Sequence, residues 1–600
     1  MTQPVPSAAP QDALSARPKE FPKKLREGVA QYLASLYPDA NAQALTNRLL
    51  TTFWPDATPT RGRPRPLERP PWDQRSAYVI TYGNTIEDGA HKPLDLLRDF
   101  AETQLADTFT GLHILPYFPF TSDDGFAVTD YLAVNSALGD WADVERIAER
   151  FTLMSDLVLN HGSSGAQWFA DYLQGHAPYD KFYFEADPSA DLSAVVRPRA
   201  HDLLRRVETA NGVKHLWCTF SHDQVDFDFS NPEVLLAFVA ILRAHIDHGV
   251  RTLRLDAVAF VWKEPGTPSI HLRQTHEIVR LFRLLADYAV EVLTLITETN
   301  VPNAENLSYF GNRNEAHVVY NFPLPPLILH ALIFGTARAL KAWQMAMPPA
   351  QWGCTYFNFT ASHDGIGLRP AEGLIPEEEL AQVIETVQGF GGKVSLRSLP
   401  DGTRKPYELN VALFDALKGT LQGEDGLQIP RFLCSQAIAM GLEGIPGFYI
   451  HSLLATPNDL EGVERMGYNR AINRARLEYP RLRAELKDPR SSRSIVFNAL
   501  KRMMKIRAAQ PAFHPNATQF TLQLDDGIFG FWRQSADRSQ SIFALSNLTA
   551  RDITLPAMSL NLIESSVWAD LLSGEAISAS GGEITLTPYQ TRWISNRATQ

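Results

Sequence analysis

Arg254 and Asp256 stand two residues apart at the end of the run VRTLRLDAV, whose apolar and β-branched residues predict a buried strand. Side chains at positions i and i+2 of a strand point to the same face, so the guanidinium and the carboxylate are expected to share one small space. A neighbouring cation favours the ionised form of a carboxyl group, which suits a nucleophile or a charge stabiliser. A structural ion pair at the end of a strand is the alternative interpretation of this pattern alone.

Three other strand-like runs also end in residues that could do chemistry. FTLMSDLVLNH carries Asp156 and finishes at Asn160 and His161, VEVLTLITETN ends near Glu298, and CTYFNFTASHD ends at His363 and Asp364. The active site of a (β/α)8 barrel lies at the carboxyl ends of its strands. Four strands that each deliver a carboxylate or an imidazole therefore predict a single polar site on that face.

Two carboxyl groups in different surroundings are the requirement for glycoside cleavage with retention of configuration. Asp256, beside an arginine, is predicted to stay ionised and to act as the nucleophile that forms a covalent glycosyl-enzyme. Glu298 follows the apolar run LTLIT and precedes no cation, so desolvation should raise its pKa and keep it protonated as the general acid. It would then act as the base in the second half-reaction. Asp364, with His161 and His363, is expected to bind sugar hydroxyls.

A metal-dependent hydrolase built on Asp156, His161 and His363 is a competing interpretation of the same residues. Other catalytic signatures are missing from the sequence, which has no GxSxG elbow, no HExxH, no Walker loop and no GxGxxG after its first strand. His271 and His276 are five residues apart in a predicted helix and do not present one ligand face. We therefore predict no metal and no organic cofactor.

Eight strand-like runs alternate with helical patterns from residue 77 onward. They are AYVITYG, GLHILPYF, FTLMSDLVLN, VRTLRLDAV, EVLTLITET, AHVVYNF, CTYFNFTA and GIPGFYI. This alternation predicts an α/β fold of the TIM (β/α)8 barrel type. The connections at about 162–232 and 365–431 are too long for simple barrel loops and follow carboxyl ends of strands, so these inserted loop domains are expected to wall the site.

The catalytic barrel is expected to span 76–505, with a helical extension before it and an all-β domain after it. Within 1–75, the first 20 residues predict disorder, a segment with apolar positions at helical spacing follows, and a Pro/Arg-rich stretch predicts an extended linker. From 506 to 600, short alternating runs separated by Gly and Asp predict a β-sandwich-like domain.

The composition excludes several classes of partner. The net charge of −11 argues against nucleic acid or an anionic membrane. The three cysteines, Cys218, Cys354 and Cys434, lie far apart, which excludes a disulfide framework and indicates a reducing compartment. Because neither a signal peptide nor an apolar run of membrane-spanning length is visible, the protein is expected in the cytoplasm.

Four of these motifs carry a resemblance to a known family. DLVLNH, RLDAV, the glutamate that ends a later strand and SHD resemble, in this order, the four signature regions of the α-amylase superfamily. HILPYFPF with DDGF, the RPR tripeptide, RLDAVAFVWKE, ASHDGIG and NRAINR resemble its sucrose phosphorylase subfamily. The long start, TETNVPNAENLSYFG and RKPYELN look more like the glucosylglycerate phosphorylase branch of that subfamily.

The resemblance implies a retaining α-glucoside phosphorylase with Asp256 as nucleophile, Glu298 as acid/base and Asp364 as stabiliser of the transition state. It also implies a set of side chains around the glucosyl ring, with Phe126 as an apolar platform: Asp123, Phe126, His161, Arg254, His363 and Arg470. Inorganic phosphate is then the co-substrate that converts the glucosyl-enzyme to α-glucose 1-phosphate.

Phosphate needs cationic and hydrogen-bonding groups on the acceptor side of the site. By resemblance, Arg199 on the first long loop and Tyr407 on the second are candidates, and Arg197 flanks the same proline as Arg199. Arg404 or Lys405 could bind an anionic acceptor such as glycerate. Glu408 follows Tyr407 where the sucrose pattern has a neutral glutamine, which argues against fructose as the acceptor. With the resemblance to the glucosylglycerate branch, glucosylglycerate is favoured over sucrose as the substrate.

Three alternatives stay open from the sequence. The first is sucrose phosphorylase, and the second is an α-glucosidase or transglucosidase of the same fold, which would release glucose without phosphate. The third is a non-catalytic carbohydrate-binding homologue. It would lack a nucleophile or an acid, whereas Asp256, Glu298 and Asp364 are all present.

Overall fold

A computed structural model of the chain describes residues 21–55, 60–67, 69–398, 403–563, 566–579 and 582–597. Its architecture is an eight-stranded barrel with an N-terminal helical extension and a C-terminal all-β region. The predicted fold class is therefore confirmed. The predicted disorder of the first 20 residues lies outside the described residues.

Eight parallel strands close the barrel in the spatial order β1-β8-β7-β6-β5-β4-β3-β2. They are β1 (Tyr78–Thr81), β2 (Gly111–Ile114), β3 (Thr152–Val158), β4 (Val250–Asp256), β5 (Thr294–Thr297), β6 (Val318–Tyr320), β7 (Thr355–Phe359) and β8 (Ile445–Tyr449). Each lies within one of the eight predicted runs. The strands are buried almost throughout, because helices cover their outer faces. For this reason their sequences are nearly continuous apolar runs.

Helices surround the strands. They are α3 (Pro93–Phe100), α4 (Trp141–Ala148), α5 (Pro232–Asp247), α6 (Arg273–Tyr288), α7 (Leu324–Phe334), α8 (Arg338–Ala346), α9 (Gln428–Gly441) and α10 (Ser492–Ala508). In α6 the buried residues Ile278, Leu281, Phe282 and Leu285 recur at helical spacing and face the barrel. These helices bring each strand back to the same end of the barrel, so the carboxyl ends meet on one face.

The N-terminal extension consists of α1 (Lys23–Leu36) and α2 (Ala42–Phe53). α1 packs on α6 and α2 packs on α5, the two helices that flank strand β4. Arg48 on α2 forms two hydrogen bonds of 2.8 and 2.7 Å to the carboxylate of Glu233 on α5. The described part of the linker that follows carries Arg61, whose backbone N–H donates to the Tyr288 carbonyl at 2.9 Å. It therefore lies against the end of α6.

The two inserted segments contain short elements of their own. The first holds the strands His161–Ser163, Leu204–Thr209, Gly212–Trp217 and Gln224–Asp226 and the helix Gln167–Gln174. The second holds the strands Ile366–Gly367, Lys393–Ser398, Arg404–Asn410, Gly419–Thr420 and Gly423–Glu424 and the helices Glu377–Gly389 and Leu413–Ala416. In the first, His161–Ser163 pairs with Gln224–Asp226, and in the second, Ile366–Gly367 pairs with Arg404–Asn410. Both pairings begin in the segments that follow the carboxyl ends of barrel strands, β3 for the first and β7 for the second.

The C-terminal region is built from β9 (Thr518–Thr521), β10 (Ile528–Gln534), β11 (Ser541–Asn547), β12 (Ile553–Pro556), β13 (Trp568–Asp570), β14 (Ala576–Ile577), β15 (Glu583–Leu586) and β16 (Thr591–Ser595). Six of these strands form one sheet, in the order β9-β10-β11-β16-β13-β14, and β12 pairs with β15. Within the described residues no helix has the length and apolar character to cross a membrane.

Candidate active site

Arg254 joins two carboxylates at the carboxyl ends of β3 and β4. Its Nη1 donates to Asp256 Oδ1 and to Asp156 Oδ1, each at 2.5 Å. The register of the two strands makes Asp156 the direct neighbour of Arg254. The other oxygen of Asp156 lies 2.7 Å from Nε2 of His113 on β2. Asp156, itself held by His113, therefore orients the guanidinium, and the guanidinium in turn orients the Asp256 carboxylate.

Glu298 meets the same guanidinium from the end of β5. Its Oε1 lies 4.0 Å from Arg254 Nη2, and its Oε2 accepts a hydrogen bond of 3.1 Å from the backbone N–H of Ala257. Ala257 directly follows Asp256 and has a φ of 49°, which a residue with a side chain rarely adopts. At this turn the Asp256 carboxyl group meets Nη1 of Arg254 and the Glu298 carboxyl group approaches Nη2.

The two carboxyl groups share a buried site and one cation. Burial raises the pKa of Asp256, an effect that Arg254 opposes and the negative charge of Glu298 increases. Burial also raises the pKa of Glu298, again against Arg254. Two such groups titrate as a pair. Because Arg254 bonds directly to Asp256 and stays 4.0 Å from Glu298, the proton of the pair is best held on Glu298.

Asp364 completes a group of three carboxyl groups at the end of β7. Burial favours its neutral form, but Arg470 at 2.5 Å and Arg474 at 3.7 Å hold the pKa of Asp364 below its ordinary value. The ring of the preceding His363 stacks on Phe126, with centroids 4.9 Å apart and an angle of 4° between the planes. Burial, reinforced by Arg254, lowers the pKa of His363, so its imidazole is neutral.

His161 links the barrel to the first inserted segment. Its Nε2 lies 3.1 Å from the carbonyl oxygen of Phe126 and 3.2 Å from Nε2 of Gln224. Gln224 Nε2 also lies 3.4 Å from Asp123 Oδ2. Contacts within the site thus join the predicted glucosyl-side residues in one cluster: Asp123, Phe126, His161, Arg254, His363 and Arg470.

Arg470 holds two carboxylates at once. Besides Asp364, it binds Glu408 through hydrogen bonds of 3.0 and 2.7 Å, and Asn410 Nδ2 donates to the same carboxylate at 2.5 Å. Glu408 is only 1% exposed. The sequence predicts it on the acceptor side, whereas in the structure its carboxylate is fully engaged in orienting Arg470.

The residues predicted to bind phosphate separate into two groups. The Arg199 guanidinium lies 5.5 Å from the centre of the Tyr407 ring and 6.0 Å from that of Phe220, so it bridges the two inserted segments. Arg197, in contrast, donates to the backbone carbonyl of His201 within its own loop. Arg404 is exposed at the start of its strand. Of the three arginines, Arg199 is the one placed beside Tyr407.

Sequence reasoning missed two residues of the site, Arg474 and Gln224. Arg474 pairs with Asp124 at 2.7 Å and approaches Asp123 at 3.6 Å and Asp364 at 3.7 Å. The sequence could have identified Arg474, because it is the second arginine of the NRAINR run that already contains Arg470. Gln224 has no comparable signal, since its role depends on a strand pairing inside the first insertion.

The alternative of a metal-dependent hydrolase would require Asp156, His161 and His363 to be free to bind a metal ion. Asp156 is bonded to Arg254 and His113, and His363 is stacked on Phe126. Among the residues that the structure describes, no three His, Cys, Asp or Glu side chains converge in a way that could hold a metal ion. These groups are arranged around a guanidinium.

Comparison with known proteins places this site in a family. The model of the alpha-amylase catalytic domain matches residues 107–365. A glucosylglycerate phosphorylase from Spirochaeta thermophila is 41% identical over 89% of this chain and 94% of its own length. A sucrose phosphorylase from Streptococcus mutans is 28% identical over 79% and 96%.

A solved structure shows the same architecture. The crystal structure of sucrose 6F-phosphate phosphorylase from Thermoanaerobacter thermosaccharolyticum superposes with a TM-score of 0.69 at 22% identity, covering 86% of this chain and 98% of that one. The chain therefore belongs to the α-amylase superfamily and, within it, to the sucrose phosphorylase subfamily, in the branch of the glucosylglycerate phosphorylases.

Proposed function

We propose that this protein is a retaining α-glucoside phosphorylase that cleaves 2-O-α-glucosylglycerate with inorganic phosphate. The products are α-glucose 1-phosphate and glycerate. The observation that carries the proposal is the position of Asp256 and Glu298 beside one guanidinium, with Arg254 hydrogen-bonded to Asp256 and 4.0 Å from Glu298. This asymmetry gives one ionised nucleophile and one protonated acid, as double displacement requires.

In the first step, Glu298 donates its proton to the glycosidic oxygen while Asp256 attacks C1 of the glucosyl group. Glycerate leaves, and a covalent glucosyl-enzyme with inverted configuration at C1 forms. Asp364, held ionised by Arg470 and Arg474, binds ring hydroxyls that tighten in the oxocarbenium-like transition state. The stacked Phe126 and His363 rings support the apolar face of the sugar.

In the second step, a phosphate oxygen attacks C1 and displaces Asp256. Glu298, now a base, takes the proton from the attacking phosphate hydroxyl, which restores the starting protonation state. The second inversion gives the α-anomer of glucose 1-phosphate. Phosphate and the departing acceptor use the same side of the site in turn.

Arg199 supplies the charge that this side needs. Arg254, Arg470 and Arg474 each pair with carboxylates. Arg199 forms no ion pair with any residue that the structure describes, and it lies over Tyr407. A guanidinium beside Tyr407 without a carboxylate partner suits both phosphate and an anionic acceptor. The higher identity to a glucosylglycerate phosphorylase than to a sucrose phosphorylase supports glycerate as that acceptor.

An acceptor screen tests the proposal. Glucose 1-phosphate is supplied with glycerate, fructose, glycerol or fructose 6-phosphate, and the release of phosphate is measured. Glycerate should give the highest kcat/KM. A preference for fructose would favour sucrose phosphorylase, and release of glucose that does not depend on any acceptor would favour a hydrolase.

A further inference from the structure

Asn300 lies two residues after Glu298 on the loop that leaves β5, and the proposed reaction does not use it. Its Oδ1 is buried and has no hydrogen-bond partner within the described part of the chain. Most buried polar atoms in native proteins are hydrogen-bonded, and an unsatisfied one needs an explanation. A side-chain carbonyl oxygen beside a catalytic acid is a candidate for contact with substrate.

The surroundings of Asn300 place it on the acceptor side. A Cβ added to Gly367 would lie 2.7 Å from Asn300 Oδ1 and 2.8 Å from its Nδ2, so the amide packs directly over this glycine. Gly367 is the strand partner of Glu408, and the next backbone N–H, of Leu368, donates to the Tyr407 carbonyl at 2.9 Å. The Asn300 amide thus packs against the strand that pairs with the Tyr407-bearing strand, and Asn300 follows the acid/base by two residues.

We propose that Asn300 determines acceptor specificity, with its Oδ1 accepting a hydrogen bond from the free C3 hydroxyl of glycerate. The inference rests on the proposed function. Glu298 exchanges its proton with the C2 oxygen of glycerate, so a group two residues beyond Glu298 is placed to meet the hydroxyl one carbon away. A carbonyl oxygen repels a carboxylate and accepts from an O–H group, which assigns the acceptor's hydroxyl to Asn300 and its charge to Arg199.

Lactate is the matched probe, because it is glycerate without the C3 hydroxyl. A site built to bond a hydroxyl discriminates against an analogue that lacks it. With glucose 1-phosphate as donor, the ratio of kcat/KM for glycerate over lactate of the same configuration is measured. The wild-type protein should prefer glycerate. Asn300→Ala should lower the ratio by at least about tenfold, which corresponds to about 1.4 kcal/mol.

Two further variants and one control distinguish loss of the proposed hydrogen bond from a general loss of activity. Asn300→Asp keeps an accepting oxygen, and its added charge acts equally on both anionic acceptors, so the ratio should stay within about threefold of wild type. Gly367→Ala leaves Asn300 in the sequence but displaces its amide, and it should lower the ratio as Asn300→Ala does. Asn312→Ala, at an exposed position of the same loop, is the control and should leave the ratio unchanged.

An unchanged ratio in Asn300→Ala, or equal use of the two acceptors by the wild type, overturns the inference. Should Asn300→Ala fail to fold, Gly367→Ala carries the test by the same criterion. The proposed function fails in a different way, through a wild type that transfers glucose to fructose and not to glycerate. A wild type that prefers glycerate together with an Asn300→Ala variant that keeps this preference contradicts the role of Asn300 alone.

Discussion

At the scale of single residues, the contacts of Arg254 distinguish two similar carboxyl groups, the proposed nucleophile Asp256 and the proposed acid/base Glu298. Both Asp256 and Glu298 are buried, and burial raises the pKa of each. The direct bond from Arg254 to Asp256 stabilises the carboxylate there. The sequence predicts this pair from its i, i+2 spacing. It does not reveal that Asp156 shares the same guanidinium nitrogen, because that contact depends on the register of β3 against β4.

Glu298→Gln should separate the two catalytic roles. Loss of the proton donor should lower phosphorolysis of a glucoside by about 10²- to 10⁴-fold. With α-glucosyl fluoride, whose leaving group needs less protonation, the first step should survive and the glucosyl-enzyme should accumulate. Peptide mass spectrometry should then find one glucosyl residue on the peptide that contains Asp256. An adduct on any other carboxylate would remove Asp256 from its role, and Asp256→Ala should form none.

The pH dependence of kcat/KM for a glucoside should be bell-shaped. The first step needs Glu298 protonated and Asp256 ionised, so the rate falls as pH rises through the upper apparent pKa of the pair and as pH falls through the lower one. Because burial raises the pKa of Glu298, the alkaline limb should lie above the ordinary range of a glutamate. In Glu298→Gln with α-glucosyl fluoride the alkaline limb should disappear, and its persistence would assign that limb to another group.

At the scale of elements, the carboxyl ends of the strands and the positions of the two insertions were predictable, but the packing of the insertions against each other was not. Runs that end in Asp256, Glu298 and Asp364 identify strands by their apolar length, and the barrel brings such ends together. Arg197 and Arg199 look equivalent in the RPR tripeptide. In the structure only Arg199 reaches Tyr407, because Arg197 bonds to its own loop. Which arginine faces the site depends on packing between two insertions that are far apart in sequence.

Arg199→Ala should weaken the use of phosphate selectively. Because Arg199 carries an uncompensated charge beside Tyr407, its removal should raise the KM for phosphate by about tenfold or more, the loss of one charge-assisted hydrogen bond. Initial rates at varied phosphate give this value. Arg206→Ala removes the same charge from an exposed position of the same insertion and serves as the control. Equal phosphate KM values in wild type and Arg199→Ala would leave the phosphate site without its proposed cation.

At the scale of the whole molecule, the N-terminal extension packs against the helices on either side of β4. α1 and α2 pack on α6 and α5, and Tyr37 Oη donates to the Phe229 carbonyl just before α5 at 3.0 Å. The helical spacing predicts these helices, but their partners could not be read from it. The cytoplasmic location and the lack of a cofactor stay predictions.

Leu33→Ala should test whether the extension is part of the cooperative unit. Leu33 on α1 is fully buried in a hydrophobic core that α1 shares with the barrel, and its truncation should lower the free energy of unfolding by about 2–4 kcal/mol. Thermal unfolding should then show one transition at a lower temperature, with Gln31→Ala on the exposed face as the control. A separate early transition, with the main one unmoved, would mean that the extension unfolds independently of the barrel.

In the proposed reaction, Asp256 carries the glucosyl group that is transferred from glycerate to phosphate. Its most direct test follows the reaction of 2-O-α-glucosylglycerate with phosphate by ³¹P and ¹H NMR. We expect α-glucose 1-phosphate and glycerate to appear in equal amounts, with phosphate consumed at the same rate. Free glucose formed without consumption of phosphate, or the β-anomer of glucose 1-phosphate, would contradict the account.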